Sequence, residues 1–106
     1  MGIRNLFEQL ELLEYASLHI ILAVVADKDL GLVFPYFPSN AKYYFSEAKI
    51  PRAMKVDTLY QVAIEAGLQG KQYQSVSRAL AAAKRSAAED DLILIAGSIF
   101  TVAEVL

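Results

Sequence analysis

Three short stretches carry side chains that could do chemistry together: Asp27-Lys28-Asp29, the loop Glu47-Ala48-Lys49-Ile50-Pro51-Arg52-Ala53, and Gly97-Ser98. Each follows an apolar or aromatic run that reads as a β-strand, so all three are strand exits. They gather carboxylates, an ammonium, a guanidinium, a hydroxyl and, after Gly97-Ser98, the free N–H groups expected where a helix begins. A set of mixed sign suits a zwitterion such as an amino acid, with Lys28 or Arg52 for its carboxylate and Asp27 or Asp29 for its ammonium. Plainer roles compete at every position. Asp27 and Asp29 suit a turn and a helix N-cap, Lys28 a solvated side chain, Arg52 a surface ion pair, and Ser98 a helix cap. The single histidine, His19, falls at a strand entrance, at the opposite end from these exits. Asp90-Asp91 reads as a solvated helix-to-strand turn, and Tyr43-Tyr44 as sheet packing.

Composition removes several other chemistries. Ten Lys and Arg against twelve Asp and Glu leave a net charge of −2, so no general basic field draws the chain to nucleic acid or a membrane surface. No cysteine is present and histidine occurs once, which excludes disulfides, thiolate catalysis and multi-histidine or cysteine metal sites. The longest purely apolar run, Ile20 to Ala26, falls well short of the roughly 18–20 residues of a membrane-spanning helix. Acidic residues near the start make the N-terminus a poor signal peptide. Neither common Gly-rich phosphate loop occurs, so the chain by itself is not expected to hold ATP or a dinucleotide tightly. The expectation is a soluble, cytoplasmic protein.

The elements that must position the three exits follow from periodicity. Ile3, Leu6, Phe7, Leu10 and Leu13 recur at helical spacing and predict a helix over about 3–15. The run from Leu18 to Val25 is apolar on both faces, as in a parallel strand covered by helices on each side. A short helix over about 28–36 follows, cut by Pro35 and Pro38. Lys42 to Ser46 is a second strand. Asp57 is a candidate N-cap for a helix that buries Leu59, Tyr60, Val62, Ala63 and Ala66 and closes at Gly67. Gly70 to Gln74 is a weak third strand; Ser75 or Ser77 then caps an Ala-rich helix to about Ala87. Leu92 to Ala96 is a fourth buried strand, and Ile99 to Val105 reads as a final helix. At 56% apolar over 106 residues, this is one domain, 1–106. Strict alternation predicts a three-layer α/β/α, Rossmann-like sandwich on a mainly parallel sheet of about four strands. Because the chain opens on a helix with no strand before it, the sheet is expected to be truncated at its N-terminal side. That leaves Leu92 to Ala96 at an open sheet edge, where a dimer is expected to form.

The same exits carry a resemblance. Leu18 to Leu30, a strand ending in Ala26-Asp27-Lys28-Asp29, resembles the strand and (A/N)DKD segment of the C-terminal domain of the folylpolyglutamate synthase/dihydrofolate synthase family. Pro51-Arg52-Ala53 is similar to that family's P-R-A loop. Asp90 to Leu106 resembles its closing D-D-L-(apolar)-G-S stretch. The wider group is the Mur-type ligases. The resemblance implies the strand order fourth-first-second-third and a C-terminal fragment of a longer enzyme, lacking the central ATPase domain and the family's D-G-A-H-N motif.

It also implies a function. ATP phosphorylates the carboxylate of a folate or of dihydropteroate, and the amine of L-glutamate attacks the acyl phosphate. The role implied for this domain is to help bind glutamate and to close over the central domain. Ser98 would contact glutamate, with Arg52, Lys28, Asp27 and Asp29 facing the interdomain cleft. ATP and Mg would be bound mainly by the central domain, and the fragment alone would be inactive, with no catalytic or metal-binding residue of its own. Two alternatives remain: the C-terminal domain of another Mur-type amino-acid ligase, and a free-standing α/β binding or regulatory module.

Overall fold

The computed structural model describes Glu8 and residues 14–26, 29–97 and 101–105, the last by backbone. It contains strands β1 (Leu18–Ala23), β2 (Lys42–Phe45), β3 (Gly70–Gln72), β4 (Leu92–Gly97) and β5 (Thr101–Val105), and helices α1 (Leu30–Val33), α2 (Val56–Glu65) and α3 (Val76–Ser86). A single 3-10 turn, Phe34–Tyr36, extends α1, with Pro35 in its first positions. The expected helix over 3–15 lies mostly outside the described residues: Glu8 is helical, whereas Glu14 and Tyr15 are not.

The strands lie in the order β3-β2-β1-β4-β5. The first four are parallel and follow the expected fourth-first-second-third arrangement. Alternation along β1 explains the layers. Ile20 and Leu22 join Tyr43, Phe45, Leu92 and Leu94 on the face that packs on α1 and α2, with Leu59 and Ala63 completing that core. Ile21, Tyr44 and Ile93 point to the other face, against Ala79, Ala82 and Ala83 of α3. The three alanines leave room for the helix to approach closely, and each carries the highest helix propensity. An α/β sandwich with helices on both sides results.

The C-terminal segment differs from expectation. Residues 101–105 form a strand, antiparallel to β4 with Leu92 opposite Val105 and Ala96 opposite Thr101. Thr101, Val102 and Val105 are β-branched and stiff at χ1, which favours a pleated strand. Pairing also satisfies the β4 backbone groups that an open edge would leave to solvent. The β4 edge on which the expected dimer depended is therefore covered by β5.

Smaller corrections concern caps. Lys55, not Asp57, is the N-cap residue of α2, and it makes no side-chain cap; Asp57 accepts from the Thr58 amide within the first turn. Ala66, expected inward, is exposed. The helix ends as expected: Gly67 has φ +89°, its N–H bonds the Ile64 carbonyl, and the Leu68 N–H bonds that of Ala63. That pair of hydrogen bonds is a Schellman ending, which needs a left-handed residue. Ser75 caps α3 through the Arg78 amide.

Candidate functional site

The three exits share one rim. Ser46, just past β2, donates its N–H to the Leu22 carbonyl at 2.9 Å and its hydroxyl to the same oxygen at 3.2 Å. Further on, the chain returns to β1: the Met54 N–H donates to Val24 O at 2.8 Å and the Ala26 N–H to Arg52 O at 2.7 Å, around an antiparallel bridge between Val25 and Ala53. The Pro51-Arg52-Ala53 loop is thus stitched to the residue that precedes Asp27. On the other side of β1, Gly97 stands in register with Ala23, so the chain leaves β4 beside the β1 exit.

Glu47 holds this arrangement. Half-buried, its Oε1 accepts the Val56 N–H at 3.0 Å, supplying the cap that Lys55 does not. Its Oε2 lies 3.6 Å from Lys55 Nζ. Between the exit loop and the start of α3, Glu47, Lys49, Ile50, Ser75 and Ser77 line an open cavity of about 330 Å³.

Of the five candidate residues, Arg52 and Asp29 are described. Arg52 is exposed at the rim. Asp29 is the N-cap of α1, its Oδ1 accepting the Gly31 N–H at 3.1 Å, which is the plainer of the two roles open to it. Asp27, Lys28 and Ser98 lie outside the described residues; their described neighbours Ala26, Asp29 and Gly97 flank the same rim. The described residues include no group of three or more His, Asp or Glu side chains that could hold a metal ion. Nor is any helix among them long and apolar enough to cross a membrane.

A second polar cluster escaped the local sequence pattern. His19, Tyr44 and Asp91 are all buried. His19 Nε2 lies 2.8 Å from Asp91 Oδ2 and Nδ1 lies 2.8 Å from the Tyr44 hydroxyl. Asp91 is therefore no solvated turn residue. The Ala88 N–H, 2.9 Å from Oδ2, and the His19 ring hold its carboxyl below the usual carboxylate range. As a carboxylate it accepts from Nε2–H, which in a neutral ring leaves Nδ1 to accept the Tyr44 O–H. Burial, first of all, pushes the Tyr44 phenol upward, so it remains protonated at neutral pH.

Known proteins fit this architecture. Among curated proteins no sequence matches. The bifunctional folylpolyglutamate synthase/dihydrofolate synthase of Yersinia pestis, complexed with AMPPNP and Mn, superposes with a TM-score of 0.76 at 21% identity, over 91% of this chain and 23% of that one. E. coli FolC with DHPP and ADP gives 0.74 at 22% identity, over 88% and 22%. A folylpolyglutamate synthase/dihydrofolate synthase with Mn, AMPPNP and L-glutamate bound gives 0.73 at 20%, over 90% and 22%. The chain thus spans under a quarter of the length of these enzymes, and the likeness is one of fold. The family model for the Mur ligase, glutamate ligase domain matches residues 1–99. With nearly the whole sequence matched and the parallel order β3-β2-β1-β4 in place, the chain belongs to the glutamate ligase domain family of the Mur ligases.

Proposed function

We propose that this chain serves as the C-terminal domain of an ATP-dependent ligase that adds L-glutamate to folates, binding the incoming glutamate at the shared rim and closing over a separate ATP-binding domain. The observation that carries the reading is the stitching of the Arg52 loop to Ala26, with Gly97 beside Ala23. It brings the ends of β1 and β4 and the Arg52 loop to one end of the sheet, the end where open α/β sheets bind ligands. Four large apolar side chains are exposed among the described residues, and three of them, Leu32, Tyr36 and Ile50, lie in segments that follow the β1 and β2 exits. Such side chains suit a face that a second domain covers.

In this reading Ser98 contacts the glutamate, Arg52 and Lys28 offset its carboxylate charge, and Asp27 and Asp29 face the cleft. The domain's contribution is positional. It holds the glutamate amine against the activated folate carboxylate, the amide bond forms as phosphate leaves, and the amine gives up its proton. Fixing two reactants in this way can supply a large part of a rate enhancement. The remaining domains of the ligase hold ATP and its metal, so the 106 residues alone are inactive.

The test compares this chain with the full-length ligase, assaying ADP release with folate and L-glutamate. Turnover by the 106 residues alone would overturn the reading. In the full-length enzyme Ser98→Ala should raise KM for glutamate far more than KM for ATP; equal effects would remove Ser98 from the glutamate site.

A further inference from the structure

The face of the sheet that carries α3 holds a second cavity, toward the strand entrances and away from the rim. It measures about 410 Å³ and is lined by Lys42, Tyr44, Gln69, Lys71, Tyr73 and Ser86 among others, with no carboxylate among the described residues of its wall. Register explains the grouping. Tyr44 stands opposite Lys71, and Lys42, two residues before Tyr44, points to the same face. Strand spacing and rise place the two lysine Cβ atoms about 8 Å apart on the diagonal. Both lysines are exposed, and their flexible stems can bring two ammonium groups onto one point. In a chain of net charge −2, two lysines on one cavity with no carboxylate among its described lining are a local reversal of sign, the nearby Asp91 carboxylate being held behind the wall by His19.

The donors around it narrow the ligand. The Tyr44 O–H is committed to His19 and the Ser86 hydroxyl is hydrogen-bonded to Tyr44, which leaves the two ammonium groups and the Gln69 amide. Ammonium groups are compact charges with three donors each and lack the planar fork with which arginine grips a carboxylate. They match a tetrahedral oxyanion carrying about two charges at neutral pH. The Tyr44 and Tyr73 rings, with centroids 5.9 Å apart, add an uncharged wall beside them. We propose that this cavity is a binding site for a small phosphate-bearing anion, held between Lys42 and Lys71 and independent of the rim.

The experiment is a titration of the 106-residue chain with inorganic pyrophosphate, followed by amide NMR shifts and calorimetry. Saturable one-to-one binding is expected, with shifts centred on residues 42–44, 69–73 and 86. Lys42→Gln and Lys71→Gln should each weaken it by about tenfold or more, with an unchanged urea midpoint showing that the fold is intact. Lys55→Gln, remote from the cavity, should leave the affinity alone. Shifts spread evenly over all lysines, unchanged affinity in Lys71→Gln, or no saturable binding would overturn the proposal. Citrate binding more tightly than pyrophosphate would overturn the phosphate assignment.

Discussion

His19 and Asp91 stand 72 positions apart in the chain, yet their side chains meet at 2.8 Å inside the protein. β1 and β4 are neighbours in register, with Leu18 opposite Leu92 and His19 opposite Ile93, so the residue that precedes β4 falls beside the ring near the start of β1. The contact ties the α3–β4 turn to the centre of the sheet, and Tyr44 extends it to β2. A buried polar set of this kind is stable because every member has a partner, and no buried side-chain nitrogen or oxygen among the described residues lacks one.

Acid should undo this tie. Because the Asp91 carboxyl is held below its ordinary value by the Ala88 N–H and His19, folding favours its ionised form. Its contribution is present above about pH 5 and is lost as the pH falls below about 4, through the depressed value. Urea unfolding across pH 2 to 7 (roughly the carboxylate range and above) should therefore show a falling acid limb that is flatter in Asp91→Asn. Parallel limbs in the two proteins would show that Asp91 carries no such linkage.

Tyr44→Phe removes one hydroxyl and leaves His19 Nδ1 buried without its partner. An orphaned buried group costs about 1–3 kcal/mol, read as a lower urea midpoint at an unchanged slope. A cost near zero would mean that water reaches the ring.

Gly70 is required for a steric reason. A Cβ built there would stand 2.1 Å from the Tyr43 carbonyl oxygen and 2.6 Å from its carbon, a backbone clash that no rotamer relieves. Gly70→Ala should cost about 1–3 kcal/mol, the range for overpacking, and should release the β3 amides to hydrogen exchange before those of β1. Undiminished protection at Lys71 and Gln72 would contradict this.

The fourth prediction concerns β5. A chain ending at Gly97 would present β4 as an open edge backed by the buried Leu92, Ile93 and Leu94. Unpaired edges of that kind associate, so sedimentation should show oligomers whose share rises with concentration. A truncated chain that stayed monomeric would mean that the edge is protected in another way.

Much of this fold was legible locally. Apolar runs at 18–25 and 92–96, the Ser75 cap and Gly67 each declare themselves through hydrophobicity, a hydroxyl or the missing side chain that a left-handed helix end favours, and these forces act within a few residues. Strand order was legible only through the family resemblance. Residues 101–105 read as a helix in sequence because the short mixed run Thr-Val-Ala-Glu-Val fits a helix face as well as a strand. The free edge of β4 decides between them, and that edge exists only once the sheet has formed. Asp91 was misread for the same reason, since its partners lie on β1 and β2.

By itself, then, the order of residues determined where the four parallel strands and the helices between them arise, that the sheet is covered on both faces, and that polar groups follow the strand exits. Tertiary structure alone decided that Arg52 is sewn beside Ala26, that Glu47 caps α2, that Asp91 is buried on His19, and that Lys42 and Lys71 share a cavity. Each of these depends on parallel register between distant strands, and hydrogen bonds and charges act over a few ångströms whatever the separation along the chain.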